Sequence, residues 1–360
     1  MLYCERLTRR NSFMDGLISR REFLKLFSLS ICGIFLPDLG TGAFPWLAGK
    51  NSPTMLGRIT RRIVDVRAEP DNQSPRLDQV KRDVILPLIE EIISPDGPKE
   101  NPRWYRLENG YIHSAYVQRV EKAHLNAALS RVPETGRLGE VSVPYTQTLY
   151  KNSQENLVKL YRLYFQSMHW ITGLIDGPDG KPWYRLTDEW LRVHYYAPAQ
   201  DVRPVPADEL EPLSPDDSES EKRIEVSLEK QILTAYQSSF PVYQTMVSTG
   251  RRYMETPSGE FHVNRKFPSK HMGDGGLTSD LNAYELVGVP WVSFFHDNGV
   301  AFHGTFWHDN FGAPMSQGCV NMRNEDARWL FRWCSPAYDP GAQFKTGYKR
   351  VGRGTRVVIS

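Results

Sequence analysis

Two short segments near the C-terminal end hold residue types suited to acyl transfer: Phe302-His303-Gly304-Thr305, and Ser316-Gln317-Gly318-Cys319-Val320-Asn321-Met322, with 16 residues from His303 to Cys319. A thiol attacks a carbonyl as its thiolate, yet a free cysteine ionises only near pH ~8.5. An imidazole beside it can take the thiol proton and return it to a leaving amine. Each of the two residues sits in a small-residue, turn-rich segment next to β-branched or aromatic residues. Gly318 lets a substrate carbonyl approach the chain before Cys319, and the N–H groups of Gln317, Gly318 and Cys319 are candidate donors to a developing oxyanion.

The remaining histidines are weaker candidates. His262, His271, His296 and His308 all fall within the 60 residues before Cys319, but no H-x-x-x-H or C-x-x-C pair occurs among them. Neither a metal site nor a cofactor is expected. His308 is a candidate for lining a cleft.

Together these residues carry a resemblance. His-Gly-Thr, a gap, then Ser-x-Gly-Cys-Val-Asn-Met resembles the signature of L,D-transpeptidases with a YkuD-type catalytic domain. So do Thr256-Pro257-Ser258-Gly259-Glu260-Phe261, Trp307-His308-Asp309-Asn310-Phe311-Gly312 and the closing Gly354-Thr355-Arg356-Val357. The resemblance covers 222–360. It implies a β-sandwich and a two-step transfer through a Cys319 thioester, with peptidoglycan stem tetrapeptides as donor and acceptor and a 3→3 cross-link as product. His303 would be the base, with the Gly304 carbonyl orienting its ring and Ser316 supporting the loop. His271, in a segment resembling the family's substrate side, joins Tyr284, Thr305, His308 and Asn321 as candidate substrate contacts. One position departs from the pattern: the family usually has His where this chain has Gln317. A glutamine exchanges hydrogen bonds but does not titrate near neutral pH, so activity is expected to survive on His303.

Two other functions compete with this one. One is a papain-like wall peptidase, but that class places Cys before His, the reverse of the order here. Hydrolysis by the transpeptidase fold itself, a carboxypeptidase activity, stays open because water can replace the acceptor amine. A non-catalytic wall-binding protein is the third reading. Intact His303, Gly304, Ser316, Gly318 and Cys319 speak against it.

The elements that must position these residues read as mainly β. Gly (27) and Pro (25) are frequent among 360 residues, a mix that favours short strands and turns. After 222 the pattern alternates, as in Arg223-Ile224-Glu225-Val226-Ser227-Leu228, and strands recur at sandwich spacing. A helix is expected from Asn324, as its N-cap, with Glu325 and Asp326 in its first turn. Cys334 would lie at its far end as a small buried apolar residue. Upstream, Trp104-Tyr105-Arg106-Leu107 returns as Trp183-Tyr184-Arg185-Leu186, 79 residues later. The repeat resembles two SH3-like small β-barrels, over 57–121 and 135–206, their aromatics read first as core. A proline-rich, acidic linker is expected over 207–221.

Ser19-Arg20-Arg21-Glu22-Phe23-Leu24-Lys25 and the apolar run 26–36 resemble a twin-arginine export signal over 1–43, cleaved or kept as a membrane anchor. Met14 is a second plausible start, and Ile31 before Cys32 argues against lipidation. An exported protein of the periplasm or cell envelope follows. The net charge of +2 gives no field for nucleic acid.

Overall fold

The computed structural model describes residues 55–121, 123–213, 221–339 and 354–360. The export signal or anchor expected over 1–43, with Cys4 and Cys32, lies outside them. Among the described residues no helix is long and apolar enough to cross a membrane.

The C-terminal part is mainly β. In chain order it comprises β1 (Lys222–Ser227), β2 (Ile232–Gln237), β3 (Phe240–Met246), β4 (Gly259–His262), β5 (Arg265–Gly273), β6 (Glu285–Phe294), β7 (Ala301–Gly304), β8 (Val320–Met322), α1 (Asn324–Trp333) and β9 (Arg356–Ile359). One sheet runs β3-β2-β1-β9-β4, the other β5-β6-β7-β8. Alternation in β1 buries Ile224 and Val226 completely, as a half-buried strand requires. β6 is buried over its last eight residues, and its near-continuous apolar run fits a strand covered on both faces. A single core joins the two sheets and the helix: Ile224, Val226, Leu233 and Val357 from one sheet, Trp291, Phe302, Val320 and Met322 from the other, Leu330 and Phe331 from α1.

α1 begins one residue away from its expected cap. Arg323 is the N-cap and makes no side-chain capping bond, while Asn324 is already helical. Asp326 does the tethering instead, accepting from Tyr243 Oη and Thr245 Oγ1, each at 2.5 Å, and so tying the helix to β3. Cys334 is buried at the helix end, and both Cys319 and Cys334 are free thiols.

Ahead of this part, residues 55–120 form a three-stranded and a five-stranded antiparallel sheet over a shared core that includes Ile59, Leu88, Tyr105 and Val117. Residues 137–204 form a seven-stranded antiparallel sheet around Tyr184, Leu186 and Tyr195. Both copies of the repeated tetrapeptide lie on strands, Arg103–Leu107 and Pro182–Thr187, with Trp104, Tyr105, Trp183 and Tyr184 buried. None of these sheets closes on itself; each unit is built of open antiparallel sheets around its own core. The start of the expected linker is docked: Arg203 bridges Glu140 and Glu209, Arg328 also reaches Glu209, and Arg332 donates to the carbonyls of Asp208 and Glu211.

Arg58 fastens the three parts together. Its side chain is 2% exposed and donates to Asp83 Oδ1 at 2.9 Å, Gln118 Oε1 at 2.8 Å and the Phe306 carbonyl at 2.6 Å. Its guanidinium also lies 4.0 Å over the Tyr164 ring. Burial holds its pKa below the ordinary value despite Asp83. Asp83 accepts from Arg162 as well. Asp83→Ala would strand a buried guanidinium, at a cost of about 3–5 kcal/mol. A drop in the thermal midpoint of unfolding of several degrees is expected, and an unchanged midpoint would show that the pair contributes little.

Candidate active site

β7 and β8 pair in parallel, with Phe302 opposite Val320, His303 opposite Asn321 and Gly304 opposite Met322. Phe302, Val320 and Met322 enter the main core. Ala301 and Cys319 belong to a separate cluster with Val289, Val292 and Trp307. Strand alternation therefore sets His303 and Asn321 on the same face as Cys319. The two residues singled out for chemistry are brought together by adjacent strands.

His303 is 2% exposed, and its Nδ1 lies 2.9 Å from the Gly304 carbonyl. A carbonyl only accepts, so Nδ1 carries the proton and Nε2 of the neutral ring is the free base. Burial lowers its pKa to about 4, with the Gly304 bond acting in the opposite sense. A Cβ at Gly304 would come within 2.1 Å of Asn324 Oδ1, so even alanine there requires the Asn324 side chain to shift.

Cys319 is partly exposed. Its thiol faces the Gly299 carbonyl at 3.8 Å. Burial pushes its pKa up to about 11, with only the Ala301 backbone bond acting to lower it. Among the described residues no cation contributes. Gln317 is exposed, and the position where the family usually has His supplies no charge. The resting pair is therefore a neutral thiol and a neutral imidazole.

The turn before the thiol is braced from two sides. Ser316 Oγ donates to the Cys319 carbonyl at 2.5 Å and accepts from the Gly318 N–H at 3.1 Å. Thr256 Oγ1 donates to the Gly318 carbonyl at 2.7 Å and accepts from the Gly250 N–H at 2.9 Å. Gly318 sits at φ +118°, a conformation that favours glycine. With its N–H taken by Ser316, the oxyanion donors left from the sequence reading are the N–H groups of Gln317 and Cys319.

The other candidates separate into groups. Tyr284 is exposed, and after burial the largest influence raising its pKa is Cys319, so it stands close to the thiol. Asn321 and His308 are buried with side chains 2.8 Å apart. Burial and the nearby His303 hold His308 neutral, with a pKa lowered to about 3. Thr305 Oγ1 donates to the His308 and Met322 carbonyls. Thr305 and His308 line a cavity of about 510 Å³ shared with Arg103 and Gln118 of the first unit.

His271 is placed elsewhere. It is 2% exposed, with Nδ1 at 2.6 Å from Asp188 and Nε2 at 2.8 Å from Glu285. It joins β5 and β6 to the seven-stranded sheet, and neither ring nitrogen is left for substrate. The two carboxylates outweigh burial and raise its pKa, while its own charge helps to lower that of Asp188.

Two residues of the site had no role assigned from sequence. Thr256 was visible within its Thr-Pro motif, but its reach to Gly318, 62 residues away, was not. Trp307, with its ring 5.7 Å from that of His303, was visible only as part of a motif.

Residues 221–359 match the L,D-transpeptidase catalytic domain family, YkuD. No curated protein sequence matches the chain. Among solved structures, an L,D-transpeptidase from Enterococcus faecium, solved as a point mutant, is 22% identical over 39% of this chain and 50% of that one, with a TM-score of 0.30. L,D-transpeptidase 3 from Mycobacterium tuberculosis is 20% identical over 39% and 61%, with a TM-score of 0.30. An L,D-transpeptidase from Mycobacterium smegmatis is 17% identical over 50% and 90%, with a TM-score of 0.31. The chain spans about half the length of the first of these relatives.

Two outcomes follow. Alkylation of Cys319 by iodoacetamide should be slow at neutral pH and climb steeply toward pH ~11. Gln317→His should speed the neutral-pH reaction by placing a titratable group beside the thiol, whereas a native rate already flat near neutrality would contradict a protonated resting thiol. His271 has a raised folded pKa, so its contribution to stability is full below about pH 6.5 and is lost as pH rises through the folded value. The destabilisation caused by His271→Gln should therefore shrink from weakly acid to alkaline pH in denaturant titrations, and a pH-independent difference would exclude a charged His271.

Proposed function

We propose that this protein is an exported cell-wall L,D-transpeptidase that forms 3→3 cross-links between peptidoglycan stems through an acyl thioester on Cys319. The observation that carries the reading is the shared face of Cys319 and His303, with His303 Nδ1 engaged by the Gly304 carbonyl. The YkuD match over 221–359 supports it.

In the first half-reaction, Sγ of Cys319 attacks the carbonyl that joins the third stem residue to the terminal D-residue. The thiol proton moves to His303 Nε2 as the S–C bond forms. The C–N bond then breaks, and His303 passes the proton to the leaving amine. In the second, an amine of a neighbouring stem attacks the thioester and gives its proton to His303, the C–S bond breaks, and the sulfur regains a proton. The N–H groups of Gln317 and Cys319 hold the oxyanion in both halves. With Cys319 held well above neutral and His303 below it, proton transfer accompanies attack and no thiolate is stored beforehand.

The N-terminal units, 57–121 and 135–206, serve as SH3-like wall modules whose aromatics are core. The segment 1–43 acts as a twin-arginine signal that exports the chain to the periplasm or envelope, or stays as its membrane anchor.

Incubation of the mature protein with a disaccharide-tetrapeptide, followed by mass spectrometry, tests the reaction. A dimer lacking one terminal D-amino acid is expected, and Cys319→Ala should lower its formation at least a thousandfold, on the scale of losing a nucleophile. Tripeptide alone would mean hydrolysis, and no change at all would leave a wall-binding module.

A further inference from the structure

A cavity of about 160 Å³ lies where the three parts meet, lined by Arg58, Arg82, Tyr161, Arg162, Tyr164 and Trp307 among others. Trp307 connects it to the chemistry, since its ring lies 5.7 Å from that of His303 and it packs in the same cluster as Cys319. The cavity is thus one side chain away from the reactive pair, and all three arginines of its lining come from outside residues 221–359.

The charges in the lining are unequal. Three arginines face two acids, Asp280 and Glu285. Glu285 is already occupied by His271 and by the N–H groups of Gly275 and Gly276. Asp280 accepts from the Asn282 backbone and side chain. Arg58 is fully used by Asp83, Gln118 and the Phe306 carbonyl. Arg82 donates to the Leu281 carbonyl, and Arg162 to Asp83 at 2.5 Å. Each of these last two keeps an Nε with no hydrogen-bond partner and almost no exposure, which a ligand reaches only as the side chain turns. A buried guanidinium N–H without an acceptor is costly, and the donor fork of arginine fits a carboxylate. The volume suits a carboxylate and a few carbons better than a whole peptide.

We propose that Arg82 and Arg162 bind a carboxylate of the peptide presented to Cys319, so that the two N-terminal units complete the substrate site. This rests on the transpeptidase reading for the identity of the peptide. It makes the N-terminal units part of substrate selection as well as wall attachment. The loop between β5 and β6, which carries Tyr284 to the thiol, is held at the same junction by Arg82 on the Leu281 carbonyl and by Tyr161 Oη on the Gly276 carbonyl at 3.1 Å.

The test uses the full chain and a synthetic stem tetrapeptide, together with versions amidated at one carboxylate at a time. Binding is read by calorimetry on the Cys319→Ser protein, turnover on the native one. Arg162→Gln and Arg82→Gln should each weaken binding of the parent peptide about tenfold or more, the scale of one charge-assisted hydrogen bond. One amidated peptide should bind the arginine-intact protein equally weakly and be indifferent to both substitutions. Arg162→Lys should recover part of the loss. Parent binding unchanged by both glutamine variants, equal losses for every amidated peptide, or no peptide binding at all would overturn the proposal. Native protein that binds the peptide in this carboxylate-dependent way yet turns none of it over would overturn the transpeptidase reading and leave the arginine site standing.

Discussion

The parallel pairing of β7 with β8 is the constraint on which the site depends. Parallel neighbours need a crossover of roughly a dozen residues or more, and residues 305–319 supply it between Gly304 and Val320. That crossover carries the chain away from His303 and returns it as Cys319 on the same face. Its path is set largely by the first unit. Arg58 holds the Phe306 carbonyl, Arg103 holds Asp309 through an ion pair and its carbonyl, and Asn101 reaches Asn310. The Asp309 N–H closes the contact on the Ala115 carbonyl. At the far end Ser316 and Thr256 fix the turn that presents the thiol. The placement of Cys319 is therefore a property of more of the chain than its own domain.

The electrostatics of the pair follow from what surrounds it. Cysteines become strong nucleophiles at neutral pH beside a cation or at the positive end of a helix. Among the described residues Cys319 has neither, and burial pushes its pKa up to about 11. His303 and His308 share a buried region in which a charge on either disfavours a charge on the other. A site of this kind gains its nucleophile only when a substrate carbonyl is there to receive it, which protects the thiol from side reactions. Exposed Gln317 at the position usually held by His fits the same design.

Features that depend on local chemistry were legible in the sequence. The pair and its spacing, the alternating strands from 222 onward, and the helix near 324 with Cys334 buried at its end all rest on short-range patterns. The helix cap was misplaced by one residue because the Asp326 tether to Tyr243 and Thr245 crosses more than 80 residues of chain. The repeated Trp-Tyr-Arg-Leu marks a buried strand in each upstream unit, but it carries no information on whether the sheet edges meet, and they stay open. His271 looked like a substrate contact until its partners Asp188 and Glu285 were known, 83 residues upstream and 14 downstream. Contacts between units leave almost no periodic signature, so the docking that shapes this site could not be read from composition or spacing.

The most direct measurement is a rapid acid quench of the native protein with a stem tetrapeptide, followed by intact-mass and tryptic-peptide analysis. A tripeptide acyl group on Cys319, labile to hydroxylamine and formed with loss of the terminal D-residue, is expected, and it should fail to accumulate in His303→Ala. A stable adduct on another residue, or product formed with no acyl group ever found on Cys319, would contradict the assignment of Cys319 as the nucleophile.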